Sequence, residues 1–204
     1  MPDGLTLRGE SHPAGPDWVV MLHDVGRDLD CWRPLIDGLA SVGHSIASLD
    51  LRGHGASDGE PDEALVLGDL APILTRIRPD VPGALIVVAA GKVGAALLDE
   101  HVPIRPDALV LLSPQSARDP RELRGEGMPK LFFVGALDPE MDRFARELRN
   151  SSVGHAGVVS FPTRDQGADL LREPWLSHLV DHAAGFARGV ASGSSTTNST
   201  GGRA

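Results

Sequence analysis

Between Ala84 and Asp99 the chain reads ALIVVAAGKVGAALLD, and a lysine stands where an apolar run gives way to small residues. Leu85, Ile86, Val87 and Val88 show no polar alternation, the pattern of a central parallel strand covered on both faces, and the small residues after Gly91 suit a helix. Lys92 is therefore expected on the tight turn between them, at the carboxyl end of a sheet, where parallel sheets bind ligands. An amine there can be a nucleophile. Burial and a helix N-terminus both lower its pKa, and an uncharged lysine forms a Schiff base with a carbonyl compound. A carboxylate close by would hold it as an ammonium instead.

Other residues of chemical interest have less around them. Cys31, the single cysteine, precedes Trp32 at the start of a predicted helix, where Asp28 and Asp30 oppose a thiolate, so it reads as packing. His178 and His182 lie four apart on a predicted helix and suit a shared metal only if carboxylates or thiolates join them; none does by sequence, which leaves a solvated face. His155 comes before the last predicted strand. Gly91-Lys92-Val93-Gly94 has neither the spacing nor the hydroxyl of a phosphate loop.

The elements that must position these residues alternate strand and helix. An edge strand is expected over Leu5–Glu10, buried strands over Trp18–His23, His44–Asp50, Ala84–Ala90, Ala108–Leu112 and Leu131–Val134, and a short strand over Gly157–Phe161. Helices are expected over Cys31–Val42, Ala64–Ile77, Glu140–Arg149 and Trp175–Val190. The alternation predicts a parallel sheet with helices on both faces. Two hundred and four residues suffice for one domain, placed at 1–190, and ASGSSTTNSTGGRA over 191–204 reads as a disordered tail. The net charge of −9, with no basic cluster longer than a dipeptide, argues against a nucleic-acid or anionic-membrane surface. The first residues, MPDGLTLRGE, lack the basic and apolar regions of a signal peptide, no apolar run reaches the length of a membrane span, and a cytoplasmic location is expected.

From Val19 to Gly59 the sequence VVMLHDVGRDLDCWRPLIDGLASVGHSIASLDLRGHGASDG resembles the α/β-hydrolases, with an apolar strand, a His-Gly-x-Gly-like loop, a Trp-led helix and an Asp-x-Arg-Gly-x-Gly-x-Ser loop. The order of elements extends the likeness to about Arg188. The resemblance implies an open, mostly parallel sheet of about six to eight strands without a cap domain. It also implies three catalytic positions, and two of them are changed. Gly-x-Ser-x-Gly falls on Ala90-Gly91-Lys92-Val93-Gly94, putting Lys92 at the nucleophile; a shift of one residue offers Gly91 or Val93, so no register supplies a hydroxyl or thiol. The acid falls on Asp138, and the histidine on Gln166, whose amide takes no proton at neutral pH. The oxyanion hole falls on the backbone N–H groups of Val25 and Val93. Asp24 beside it opposes a developing oxyanion unless it turns outward or is paired.

The same resemblance makes His23 a loop-bracing residue and Asp50, Arg52, Gly53, Gly55 and Ser57 architecture, with Asp50 and Arg52 as a charged pair. A crevice ligand would meet His23, Asp24 and Lys92. Lys92 is expected protonated, its partner Asp138. The function this implies is a noncatalytic scaffold that binds a small molecule, a protein partner or a second copy. The alternative is an unorthodox hydrolase or lysine-dependent lyase acting on a small ester or carbonyl compound. No cofactor, metal, nucleic acid or membrane enters either reading.

Overall fold

The computed structural model describes residues 1–99, 106–123 and 127–198. Its strands are β1 (Gly9–His12), β2 (Trp18–Leu22), β3 (Ser45–Leu49), β4 (Leu85–Ala90), β5 (Ala108–Leu112), β6 (Lys130–Gly135) and β7 (Ala156–Phe161). They form one sheet in the order β1-β3-β2-β4-β5-β6-β7, with β1 antiparallel to β3 and every other pair parallel. The helices are α1 (Arg33–Ala40), α2 (Glu63–Gly68), α3 (Leu70–Ile77), α4 (Gly91–Ala96), α5 (Pro139–Ser151) and α6 (Leu176–Asn198). After β2 the chain moves out to β3 and then returns to the other side of β2 as β4. The loops leaving β2 and β4 therefore diverge at their carboxyl ends, which is where a sheet of this kind opens a crevice.

Because successive strand residues point to opposite faces, each central strand feeds two cores. On β4, Ile86, Val88 and Ala90 pack with Trp32, Leu35, Leu39 and Leu179 beneath α1 and α6. Leu85, Val87 and Ala89 pack on the other face with Val66, Leu70, Leu74 and Leu148 beneath α2, α3 and α5. Burial on both sides explains the unbroken apolar reading of β4.

The helix expected over Cys31–Val42 is a 3-10 turn over Leu29–Trp32 followed by α1, and three further boundaries differ from the sequence expectation. The edge strand is Gly9–His12 and not Leu5–Glu10, because the preceding residues serve the loop after β3: Thr6 N–H donates to Asp58 at 3.2 Å and Arg8 N–H to Ser57 Oγ at 2.8 Å. The helix expected over Ala64–Ile77 is two, parted at Asp69, whose carboxylate is turned to Arg52. The last helix runs past Val190 to Asn198, so the boundary expected at 190 falls inside α6; of the expected tail, 199–204 lie outside the described residues. Among the described residues no helix is long and apolar enough to cross a membrane.

Candidate functional site

The β4–α4 turn is built around Gly91, with φ +53°, in the left-handed region that glycine enters without strain. The strand ends at Ala90, and Lys92 already lies in the first turn of α4. The residue on the sharp strand-to-helix corner is thus Gly91, one before the expected Lys92, and the next N–H, the one facing the crevice, is that of Lys92 and not Val93. Val93 is a buried side chain in the core under α4.

The second N–H comes from the loop after β2. Val25 N–H and Lys92 N–H both donate to the same oxygen, Asp24 Oδ1, at 2.9 Å each. Asp24 has turned inward, the reverse of what an open hole would need, and its carboxylate sits where the two donors converge. The other oxygen takes the space beside the corner: a Cβ added at Gly91 would lie 1.8 Å from Asp24 Oδ2 and 2.2 Å from Cγ. Asp24 and a side chain at 91 exclude each other.

The loop is braced from below by two imidazoles. Buried His23 accepts from Leu51 N–H at Nε2 (2.9 Å), so its Nδ1 donates to the Asp24 carbonyl (2.8 Å). Burial pushes its pKa below the ordinary histidine value, which suits this neutral tautomer. His54 was not singled out by sequence reasoning. Its Nε2 accepts from Gly26 N–H at 2.9 Å, its Nδ1 meets the Arg52 carbonyl at 2.7 Å, and its ring stands 5.1 Å from that of His23. The signal was present in Arg52-Gly53-His54-Gly55, but only folding shows that this loop reaches Gly26. Asp50 and Arg52 are not a pair. Asp50 accepts from Leu29 and Ala56 N–H groups, while Arg52 binds Asp69 at 2.6 and 2.9 Å and Asp3 at 2.6 Å.

The remaining expected site residues disperse. Lys92 Nζ points out to Glu63 Oε2 at 2.6 Å, about half-exposed, and that carboxylate holds the ammonium above the ordinary lysine range. Asp138 is not its partner. Asp138 instead caps α5, accepting from Glu140 and Met141 N–H groups at 3.1 Å. Gln166 ties strand ends together: its Oε1 accepts from Ser113 Oγ (2.6 Å) and Gly135 N–H (3.2 Å), and its Nε2 donates to the Gly135 carbonyl (2.9 Å). Ser113, unremarked in the sequence, is fully buried at φ +47°, and its Oγ also accepts from Gly167 N–H at 2.9 Å. Among the described residues that hydroxyl is bonded to an amide side chain and a backbone N–H, neither a titratable base. Cys31 is half-buried, its thiol pushed up to about 12 by burial and by Asp28. His178 and His182 are exposed, and the described residues contain no cluster of three metal-ligating side chains.

Comparison with solved structures decides the architecture. A monoacylglycerol lipase from Paleococcus ferrophilus superposes with a TM-score of 0.72 at 14% identity, covering 91% of this chain and 99% of that one. An esterase from Exiguobacterium antarcticum gives 0.72 at 12%, covering 91% and 97%. The chain has the α/β-hydrolase fold. In the order of that fold's elements, the corner at Gly91 is the strand-to-helix turn that follows the central strand. No protein-family profile matches the sequence. Among curated relatives, the dihydrolipoyllysine-residue acetyltransferase component of an acetoin cleaving system from Cupriavidus necator is 25% identical over 94% of this chain and 49% of its own length. The probable esterase PIR7A of Oryza sativa subsp. indica is 29% identical over 48% of this chain and 39% of its own. The chain thus spans about half the length of these relatives, or less. The seven-stranded sheet with its helices, superposing over 91% of this chain, fits an α/β-hydrolase fold without a cap domain.

Proposed function

We propose that this chain is a noncatalytic scaffold of the α/β-hydrolase fold, binding a ligand or partner rather than turning over an ester. The observation that carries the reading is the double occupancy by Asp24. Its carboxylate accepts the two backbone N–H groups that would otherwise stabilise an oxyanion, and fills the space beside Gly91 that a nucleophile would need. Transition-state stabilisation comes from donors free to meet developing charge, and here a fixed negative charge already satisfies them. Gln166 adds to this: an amide bonded to Ser113 and Gly135 has no proton-accepting role. The degenerate positions are Gly91, Asp138 and Gln166.

The lysine-lyase alternative has little support, because Lys92 is ion-paired to Glu63 and kept charged. The deciding experiment is hydrolysis of short-chain aryl esters by the purified chain, compared with Asp24→Asn. Rates at the buffer background for both proteins are expected. Turnover by the wild type that disappears in Ser113→Ala would overturn the scaffold reading, since Ser113 is the hydroxyl bonded to Gln166.

A further inference from the structure

The sheet ends on β1 at one side and on β7 at the other, and the two edges are built differently. β1 has 4 residues and carries Glu10, bonded to Arg33 at 2.9 Å; a short, charged edge resists pairing with another chain. β7, Ala156-Gly157-Val158-Val159-Ser160-Phe161, has 6 residues and no charge. Its register on β6 runs from Lys130↔Ala156 to Gly135↔Phe161, flanked by bonds from Lys130 N–H to the His155 carbonyl (2.9 Å) and from Ala136 N–H to the Phe161 carbonyl (2.7 Å). Parallel ladders bond through alternate residues, so Gly157, Val159 and Phe161 bond to β6, and the N–H and C=O groups of Ala156, Val158 and Ser160 point away from the sheet. Among the described residues no strand lies on that side. The helix beside this edge carries charge with a direction. Ser160 Oγ donates to Asp142 Oδ1 at 3.1 Å, and Arg146, 2.7 Å from Asp142, and Arg149 follow one and two turns on along the same face of α5. Glu140, Arg143 and Glu147 line a cleft on the other side of the helix. Because α5 returns from the end of β6 to the start of β7, Asp142 stands by the carboxyl end of the edge strand and Arg149 by its amino end.

We propose that β7 pairs antiparallel with β7 of a second copy of this chain about a two-fold axis, joining the two sheets into one. In an antiparallel ladder, directly opposed residues exchange both of their backbone bonds. Centred on Val158, the pairing sets Val158 against Val158 of the second copy and Ala156 against Ser160 of the second copy, so every outward group finds a partner. The arrangement closes on itself and leaves only the charged β1 edges outside. The same axis reverses α5 and brings Asp142 of each copy toward Arg149 of the other, so the flanking charges are complementary. An unrelated extended peptide satisfies the backbone groups but not those ion pairs, which singles out the second copy as the occupant. The pairing goes beyond the scaffold reading and does not depend on it, because β7 lies three strands from β4.

The test is sedimentation velocity of the full chain over a concentration series, with hydrogen exchange of the segment 155–161 followed in parallel. A species of twice the chain mass is expected, and exchange in that segment should slow as it forms. Val158→Pro removes an N–H that makes no bond within the sheet, so β7 keeps its ladder to β6 while the dimer is lost. Arg149→Asp and Asp142→Arg should each weaken association about tenfold, and the two combined in one chain should recover most of it, because the exchanged charges again face each other. This charge exchange leaves the strand untouched and tests the pairing independently of the proline. A chain that stays monomeric throughout, a dimer that tolerates Val158→Pro, or a double charge variant no tighter than the single ones would each overturn the assignment. Ester hydrolysis on the same preparations tests the scaffold reading separately.

Discussion

Asp24 and Gly91 act as one unit, since neither can be exchanged without consequence for the other. Gly91→Ser places a hydroxyl at the strand-to-helix corner but forces its Cβ onto the Asp24 carboxylate at φ +53°. It should therefore lose about 2 kcal/mol of stability in urea denaturation and gain no esterase activity. Asp24→Ala leaves the Val25 and Lys92 N–H groups without their acceptor, with an expected loss of about 1–3 kcal/mol; Asp24→Asn keeps an acceptor oxygen and should lose less. In the double variant Gly91→Ser/Asp24→Gly the serine is relieved of the clash, so a double-mutant cycle should give a favourable coupling of about 1 kcal/mol or more. Additive single costs would show that the two side chains do not compete for one space. For Lys92, borohydride trapping with small aldehydes should give no rapid adduct in the wild type. Removal of its counter-charge by Glu63→Gln should speed trapping, whereas Asp138→Asn should not, because Asp138 caps a helix.

Two side chains decide how helices join the sheet. Arg52, buried in the loop after β3, fixes the junction of α2 and α3 through its two bonds to Asp69 and straps the N-terminal segment through Asp3. Breaking a buried pair from one side leaves its remaining charge with fewer partners. Asp69→Ala leaves Arg52 to Asp3 alone and should lower the urea midpoint more than loss of the exposed pair between Arg76 and Asp80. Asp138 belongs to the same scale. As the N-cap of α5 it should cost about 1 kcal/mol when changed to alanine and about the same in Asp138→Leu, with Asp138→Ser recovering most of the loss.

Across the whole molecule, stability should depend on pH through groups that folding buries. Burial pushes His23 and His44 below the ordinary value of 6.5. Between the lowered folded value and 6.5 the unfolded chain binds more protons, so stability rises with pH through that window and is lost as pH falls below 6.5. Urea midpoints should be lower at about pH 5 than at neutrality. His44→Gln, which cannot titrate, should flatten part of that slope. At the alkaline end, buried Lys130, donating to the Met128 and Val153 carbonyls, is pushed down by burial to about 8, so its cost to the fold is relieved as pH rises from there toward 10.5.

The α/β-hydrolase fold was legible in the chain because its signals are local. The unbroken apolar run of β4 follows from burial on both faces, and the loop Asp50–Gly59 carries glycines that its tight path requires; a Cβ at Gly55 would strike Asp50. That the corner between β4 and α4 carries no hydroxyl was legible for the same reason, since every register over Ala90–Gly94 lacks one. Which residue occupies the corner was not. A slip of one residue leaves the sequence pattern almost as good, and only the φ of Gly91 and the convergence of two N–H groups on one oxygen fix it. The partners of Lys92, Arg52 and Asp138 were likewise undetermined, because ion pairs and caps are chosen by distance in space. Glu63, Asp69 and the first turn of α5 lie within reach where the expected partners do not, and the inward turn of Asp24 arises only when the loop after β2 meets the end of β4.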